Sequence, residues 1–219
     1  VKHLPLRTFF FVLGTIINAF GIAFITKAAL GTSPISSLPY VVSLAFTPTF
    51  GQCTFVLNIL FILGQIVLLR SRFQIVQLLQ IGVNIVFSSF IDIAMHILWW
   101  LDPQTLLAQL LFLVIGCAIL ALGVCIEVSP NVLMVPGEGI VNAIACTGHW
   151  KFGSVKIAFD STTCILACML SFLFFGGLNG LGLGTIISAV LVGRFITIFY
   201  KSLFFLNWIA ALAYPKNNT

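Results

Sequence analysis

Apolar residues run along the chain in blocks of about twenty, separated by short clusters rich in Gly, Pro and polar residues. Blocks of that length predict helices that cross a bilayer. The first covers about Thr8 to Ala29, the second Gln52 to Leu69 and the third Phe73 to Leu98. A second set covers Leu106 to Ile126, Ser154 to Phe175 and Leu181 to Tyr200. In each set a shorter stretch lies between the first two blocks: Pro34 to about Thr47, and Pro136 to Gly148. About 14 residues of helix rise only about 20 Å, short of a full crossing. Thr32 or Ser33 is placed to cap the first short helix, and Pro34 suits its first turn, where a missing N–H costs nothing. The apolar tail at 202–214 either lengthens the last helix or lies along the interface, and 216–219 is expected to fray.

The two sets match each other. A step of 102 positions, without gaps, carries Pro34 to Pro136, Phe50-Gly51 to Phe152-Gly153 and Asn58 to Asp160. It also carries Gly14, Gly21 and Gly82 to Gly116, Gly123 and Gly184. Apolar sequences match by chance, and glycine is common where membrane helices pack, so the glycines alone carry little weight. The proline, Phe-Gly and Asn58/Asp160 coincidences carry more. They predict two units, 1–103 and 104–219, in one integral membrane domain.

Composition points the same way. Of 219 residues, 60% are hydrophobic and 7% charged, against roughly a quarter charged in a soluble domain. The net charge of +5 therefore reads as membrane orientation rather than affinity for nucleic acid. With three crossings per unit and the short stretches re-entrant, Lys2, Arg7, Arg70, Arg72, Lys151, Lys156, Arg194 and Lys201 fall on or near one side, which leaves Lys27 near the other. Counting the short stretches as crossings would separate Arg70 and Arg72 from the N-terminus. An odd number of crossings per unit makes the units inverted. The fold expected is an all-α polytopic membrane protein of two inverted repeats, each with three transmembrane helices and one short re-entrant half-helix. Lys2 and Arg7 precede the first run with no small-residue cleavage site behind it, so that run is read as a retained helix.

Candidate chemistry gathers at the short helices and at ionisable residues inside spans. A helix N-terminus at Thr32, Ser33, Pro34 and Ser36 carries unpaired N–H groups and partial positive charge, which suit an anion or a carbonyl. At the second, Pro136, Gly137 and Glu138 put a carboxylate in the first turn, where it offsets that charge and can bind a cation or a proton. Asp160 stands about 9 Å into its helix, with Lys156 one turn before it and Asn58 as its counterpart. It reads as a ligand for solute or coupling ion, or as half of a structural ion pair. Asp92 and Arg194 lie toward span ends and read as interfacial, and Glu127 as facing inner water. Gln77, Gln80 and Asn84 share a helix face, to line a path or to bond between helices. The glycine run 176–184 lacks the Lys-Ser/Thr end of a phosphate loop. Six cysteines and three histidines show no metal-ligand spacing.

The stretches Ala28-Ala-Leu-Gly-Thr-Ser-Pro34, Thr49-Phe-Gly51, Phe73-Gln-Ile-Val-Gln-Leu-Leu-Gln80, Phe87-Ser-Ser-Phe-Ile-Asp92 and Gly182-Leu-Gly-Thr-Ile-Ile-Ser-Ala189 resemble the YitT/YczE/YyaS group of bacterial integral membrane proteins. The resemblance runs from about 8 to 201 and implies a multi-pass fold in the bacterial cytoplasmic membrane. Relatives often carry Pro-x-Asp-Gly where this chain has Pro136-Gly-Glu138-Gly. The resemblance brings no catalytic residues. The function expected is secondary transport of a small polar solute, an anion included, bound between the half-helix termini. The alternative is a non-transporting accessory or regulatory protein acting through helix contacts. No enzyme activity, cofactor, metal or nucleic acid is expected. The expected partners are a small-molecule solute and the lipid bilayer, with a homodimer left open. Both termini are expected to be cytoplasmic.

Overall fold

The computed structural model describes residues 3–213, so Lys2 and the 216–219 tail lie outside it. Helices follow in the order α1 (Leu4–Lys27), α2 (Pro34–Ala45), α3 (Phe50–Leu69), α4 (Gln80–Ile97), α5 (Leu106–Val128), α6 (Pro136–Gly148), α7 (Phe152–Phe175), α8 (Leu183–Ser202) and α9 (Phe204–Ala213). No strand forms among the described residues. Six segments, built on α1, α3, α4, α5, α7 and α8, are long and apolar enough to cross a membrane. Large apolar side chains such as Val67 on α3 and Leu173 on α7 face outward, as a lipid-facing surface requires. The chain is a multi-pass, all-helical membrane protein by these features.

Local sequence accounts for the helix ends. Helix α2 stops at Ala45, two residues short of the expected end, with Phe46 extended. Pro48 disfavours helical backbone at the residue before it. Before α4, short 3₁₀ turns at Arg70–Arg72 and Ile75–Leu79 replace the continuous helix expected from Phe73. Gln74 and Gln77 close a reciprocal cap on the second of them. Gly176 ends α7 in the left-handed conformation at φ 68°. The tail does not extend α8. It turns at Leu203 into α9, whose Leu206 and Ile209 pack with Cys125 and Ile126 of α5.

One expected cap is corrected. Ser33 holds the N-cap position of α2, but its side chain makes no capping bond. Its hydroxyl donates instead to Ser36 Oγ at 2.9 Å, and Thr32 Oγ1 shares a 2.7 Å hydrogen bond with Thr26 Oγ1.

Helices α1 and α5 form the inner pair, pressed together at four glycines. A Cβ on Gly14 would lie 2.3 Å from the Glu127 nitrogen, and one on Gly116 would lie 2.8 Å from that of Ile25. Gly21 meets the Leu120 backbone and Gly123 that of Asn18, each at 2.5 Å. Between membrane helices there is no hydrophobic driving force, so close backbone approach supplies the packing. Around this pair, α4 packs on α1 and α8 on α5, while the short helices cross over, α2 onto α7 and α6 onto α3. Helix α3 also packs on α4, with no comparable contact between α7 and α8.

Asp92, read as interfacial, also caps a neighbouring helix. It accepts from Thr49 Oγ1 at 2.6 Å and from the Gly51 N–H at 2.7 Å. It thus holds the first turn of α3, where a carboxylate also complements the helix charge. Replacing Asp92 with Ala leaves that N–H without its acceptor and is expected to cost about 1–2 kcal/mol. Thermal unfolding in detergent measures it, with D92N intermediate because its amide oxygen still accepts.

Candidate functional site

The crossing of the short helices leaves a cavity of about 380 Å³ between them. The first turns of α2 and α6 both open onto it, through Ser33, Pro34 and Ser36 on one side and Pro136, Gly137 and Glu138 on the other. Asn58 of α3 and Lys156 and Asp160 of α7 complete the set. Nine of the ten residues singled out from the sequence therefore line one space. The tenth, Thr32, is fully buried behind it. There its N–H reaches Thr185 Oγ1 at 3.3 Å and its carbonyl receives Ser188 Oγ at 3.4 Å.

The loop before α2 is thus clamped to the start of α8. Gly184 N–H donates to the Leu30 carbonyl at 2.9 Å, and Cβ atoms on Gly182 or Gly184 would each stand 2.6 Å from that oxygen. Gly31 takes φ 126°, and a side chain on it would strike Thr185. These glycines serve close approach, as their composition suggested.

On the α6 side a chain of buried amides does the anchoring. Gln65 of α3 donates to the Pro136 carbonyl at 3.3 Å and pairs reciprocally with Gln80 at 3.0 and 3.2 Å. One helical turn along α4, Asn84 accepts from Asn58 at 2.8 Å and from Ser88 at 3.2 Å, while donating to the Phe55 carbonyl at 3.0 Å. Gln80 and Asn84 therefore bond between helices. Gln77 serves the 3₁₀ cap instead. Gln65, fully buried, was missed from the sequence. A lone amide inside an apolar run was the available signal.

Charge in the cavity is mixed. Lys156 Nζ and Asp160 Oδ1 form an ion pair at 3.0 Å, with both side chains still partly open to the cavity. Glu138 lines the same space. Arg194, by contrast, is exposed.

Glu127 is the clearest correction. It was expected to face inner water, yet it is 3% exposed. Gly14 lets α1 press onto its backbone, and its Oε2 receives a 2.7 Å hydrogen bond from Asn18 Nδ2. Asn18 lines the cavity and is 8% exposed. The remaining oxygens, Glu127 Oε1 and Asn18 Oδ1, are buried with no hydrogen-bond partner.

A model of the Family of unknown function (DUF6198) matches residues 5–201. The chain belongs to that family. No curated protein and no solved structure matches it. The family match takes in the whole cavity and nearly all of α1 to α8, and ends before α9.

Proposed function

We propose that this protein is a secondary transporter of a small polar solute, and that its two units are inverted repeats with α2 and α6 as re-entrant half-helices. The observation that carries the reading is the cavity itself. Two broken-helix starts from matching positions, Pro34 and Pro136, open onto one largely apolar space that holds Glu138, Lys156 and Asp160. Non-helical backbone at membrane depth is tolerated where it lines a cavity, and half-helix termini there bind solute and coupling ions. The pairing of helices supports the repeat. The contact of Gly14 with Glu127 becomes that of Gly116 with Ile25 when each residue is exchanged for its partner 102 positions away. The same exchange turns Gly21 on Leu120 into Gly123 on Asn18, and α2 on α7 into α6 on α3.

In this reading the free N–H groups of α2 and the hydroxyls of Ser33 and Ser36 take an anionic or carbonyl group of the solute. Glu138 and Asp160 take a cationic group or a coupling ion, with Lys156 paired to Asp160. A space of about 380 Å³ suits a metabolite-sized molecule. The positive-inside pattern of Arg70, Arg72 and Lys151 supports cytoplasmic termini in a bacterial cell membrane. The likeness to the YitT/YczE/YyaS group rests on the motifs quoted above.

The test is direct. Purified protein is screened by thermal shift against amino acids, carboxylates and other polar metabolites, since a solute that binds only the folded state raises the melting temperature. A compound that stabilises the protein should enter proteoliposomes containing it. E138Q or D160N should reduce that uptake at least ten-fold while the protein still folds. If no compound stabilises it, or both amide variants transport normally, the reading is wrong. An accessory protein would tolerate both changes.

A further inference from the structure

Every other charge at the cavity has a counter-charge or an opening. Glu127 has neither. Its carboxyl lies at a tight crossing, where Gly14 of α1 opposes its own backbone and Gly123 of α5 opposes that of its partner Asn18. The Asn18 amide satisfies one carboxyl oxygen and leaves two acceptors, Glu127 Oε1 and Asn18 Oδ1, buried and unbonded. Leaving a carboxylate ionised in such surroundings costs far more than pairing it or neutralising it. The groups around it make the mismatch worse. Glu138, on α6, is close enough to add negative charge. Lys156, the nearest cation to Glu138 on α7, is already engaged by Asp160. From α8 the Tyr200 hydroxyl bonds with Ser129 Oγ and the Cys125 carbonyl. At the head of α1, Arg7 is spent on the carbonyls of Pro130 and Asn131.

We propose that Glu127 and Asn18 form a binding site for one monovalent cation, a proton or Na⁺, at the inner helix pair. A proton would sit on Glu127 and turn Oε1 from an unbonded acceptor into a neutral hydroxyl. Na⁺ would take Oε1 and Asn18 Oδ1 as two of its oxygen ligands. The site communicates with the cavity through Asn18, which lines it. On α5 the positions Leu120, Val124 and Glu127 follow at i, i+4 and i+7, the first two lining the cavity and the third continuing their stripe. The counterparts of the two site residues in the other unit are Ile25 for Glu127 and Leu120 for Asn18. The polar pair therefore occurs at one end of the crossing only, so the fold offers one such site. Its role as the coupling site rests on the transport reading. Its existence does not.

The experiment uses the purified full-length protein and no solute. Infrared spectra of wild type, E127Q and E138Q are recorded in Na⁺-free buffer at neutral pH. Melting temperatures are measured in NaCl against choline chloride at equal ionic strength. A proton site predicts a protonated-carboxyl C=O band in wild type and E138Q that disappears in E127Q. A Na⁺ site predicts a rise in melting temperature with Na⁺ that is lost in E127Q and in N18A. Either result supports the site. The proposal is overturned if wild type lacks the Glu127-dependent band and Na⁺ stabilises wild type and E127Q alike. Because the readouts need no transport, the cation site and the solute cavity can fail separately. E127Q keeps size and shape, and N18A gives the Na⁺ arm a second variant that leaves Glu127 in place.

Discussion

Substituting any one of Gly14, Gly21, Gly116 or Gly123 with Ala should destabilise the protein by roughly 1–3 kcal/mol, the range for overfilling a packed interior. Leucine at the same positions should abolish the folded, monodisperse protein. The reason is what the new atom would meet. At Gly14 it is the Glu127 backbone nitrogen at 2.3 Å, at Gly21 and Gly123 the opposite backbone at 2.5 Å, and at Gly116 the Ile25 nitrogen and side chain at 2.8 Å. A flexible side chain could turn aside; two helical backbones can only separate. Separating α1 from α5 would open the apolar cluster in which Ala19, Ile22, Ile25, Leu113, Cys117 and Leu120 are buried together. Controls come from glycines with empty surroundings. Gly82 and Gly153 have nothing within 4 Å of a built Cβ. Alanine there should be neutral or stabilising by up to about 1 kcal/mol, since glycine is a poor helix former. Thermal unfolding and size-exclusion profiles of the six alanine variants decide the matter. Equal effects across all six would refute the account.

The second large effect is expected at Gly31. Its φ of 126° lies outside what an L-residue adopts at low cost, and a Cβ would collide with Thr185 Oγ1. Alanine there should lose roughly 1–3 kcal/mol to backbone strain before the clash is counted. It should also loosen the first turn of α2, because Leu30 and Thr32 are held to α8 through the same few residues. G31A is therefore expected to weaken solute binding as well as stability. T185V keeps the shape at position 185 while removing one hydroxyl, and should cost only about 1 kcal/mol. Titration of the stabilising solute against both variants would separate them. If G31A binds as tightly as wild type, the clamp does not position the cavity.

Much of this arrangement was legible in the chain because it depends on single residues with few alternative uses. A proline at the head of a short apolar stretch marks a helix start, and Pro34 and Pro136 both begin helices. Lys156 and Asp160 are one helical turn apart, so their ion pair needs no tertiary information. Glu127 was misread for a physical reason. The end of an apolar run normally lies at the interface, and nothing near Glu127 in sequence says that Gly14 will draw α1 across it. The cover supplied by α9 on the neighbouring Cys125 and Ile126 comes from far along the chain. Gln65 was hidden in the same way, because its partners Gln80 and Pro136 meet it only when α4 and α6 fold against α3. At Ser33 the position was right and the bond was not, since its hydroxyl turns to donate to Ser36 Oγ rather than accept from the backbone.

Asp92 and Arg194 stand 102 positions apart, at matching places in the chain. The acid grips the head of α3 and draws Gly51 tight beneath it. A guanidinium has no acceptor to offer an N–H group. Gly153, the counterpart of Gly51 at the head of α7, sits in open space. The head of α3 is latched to α4, and α8 gives the head of α7 no matching hold.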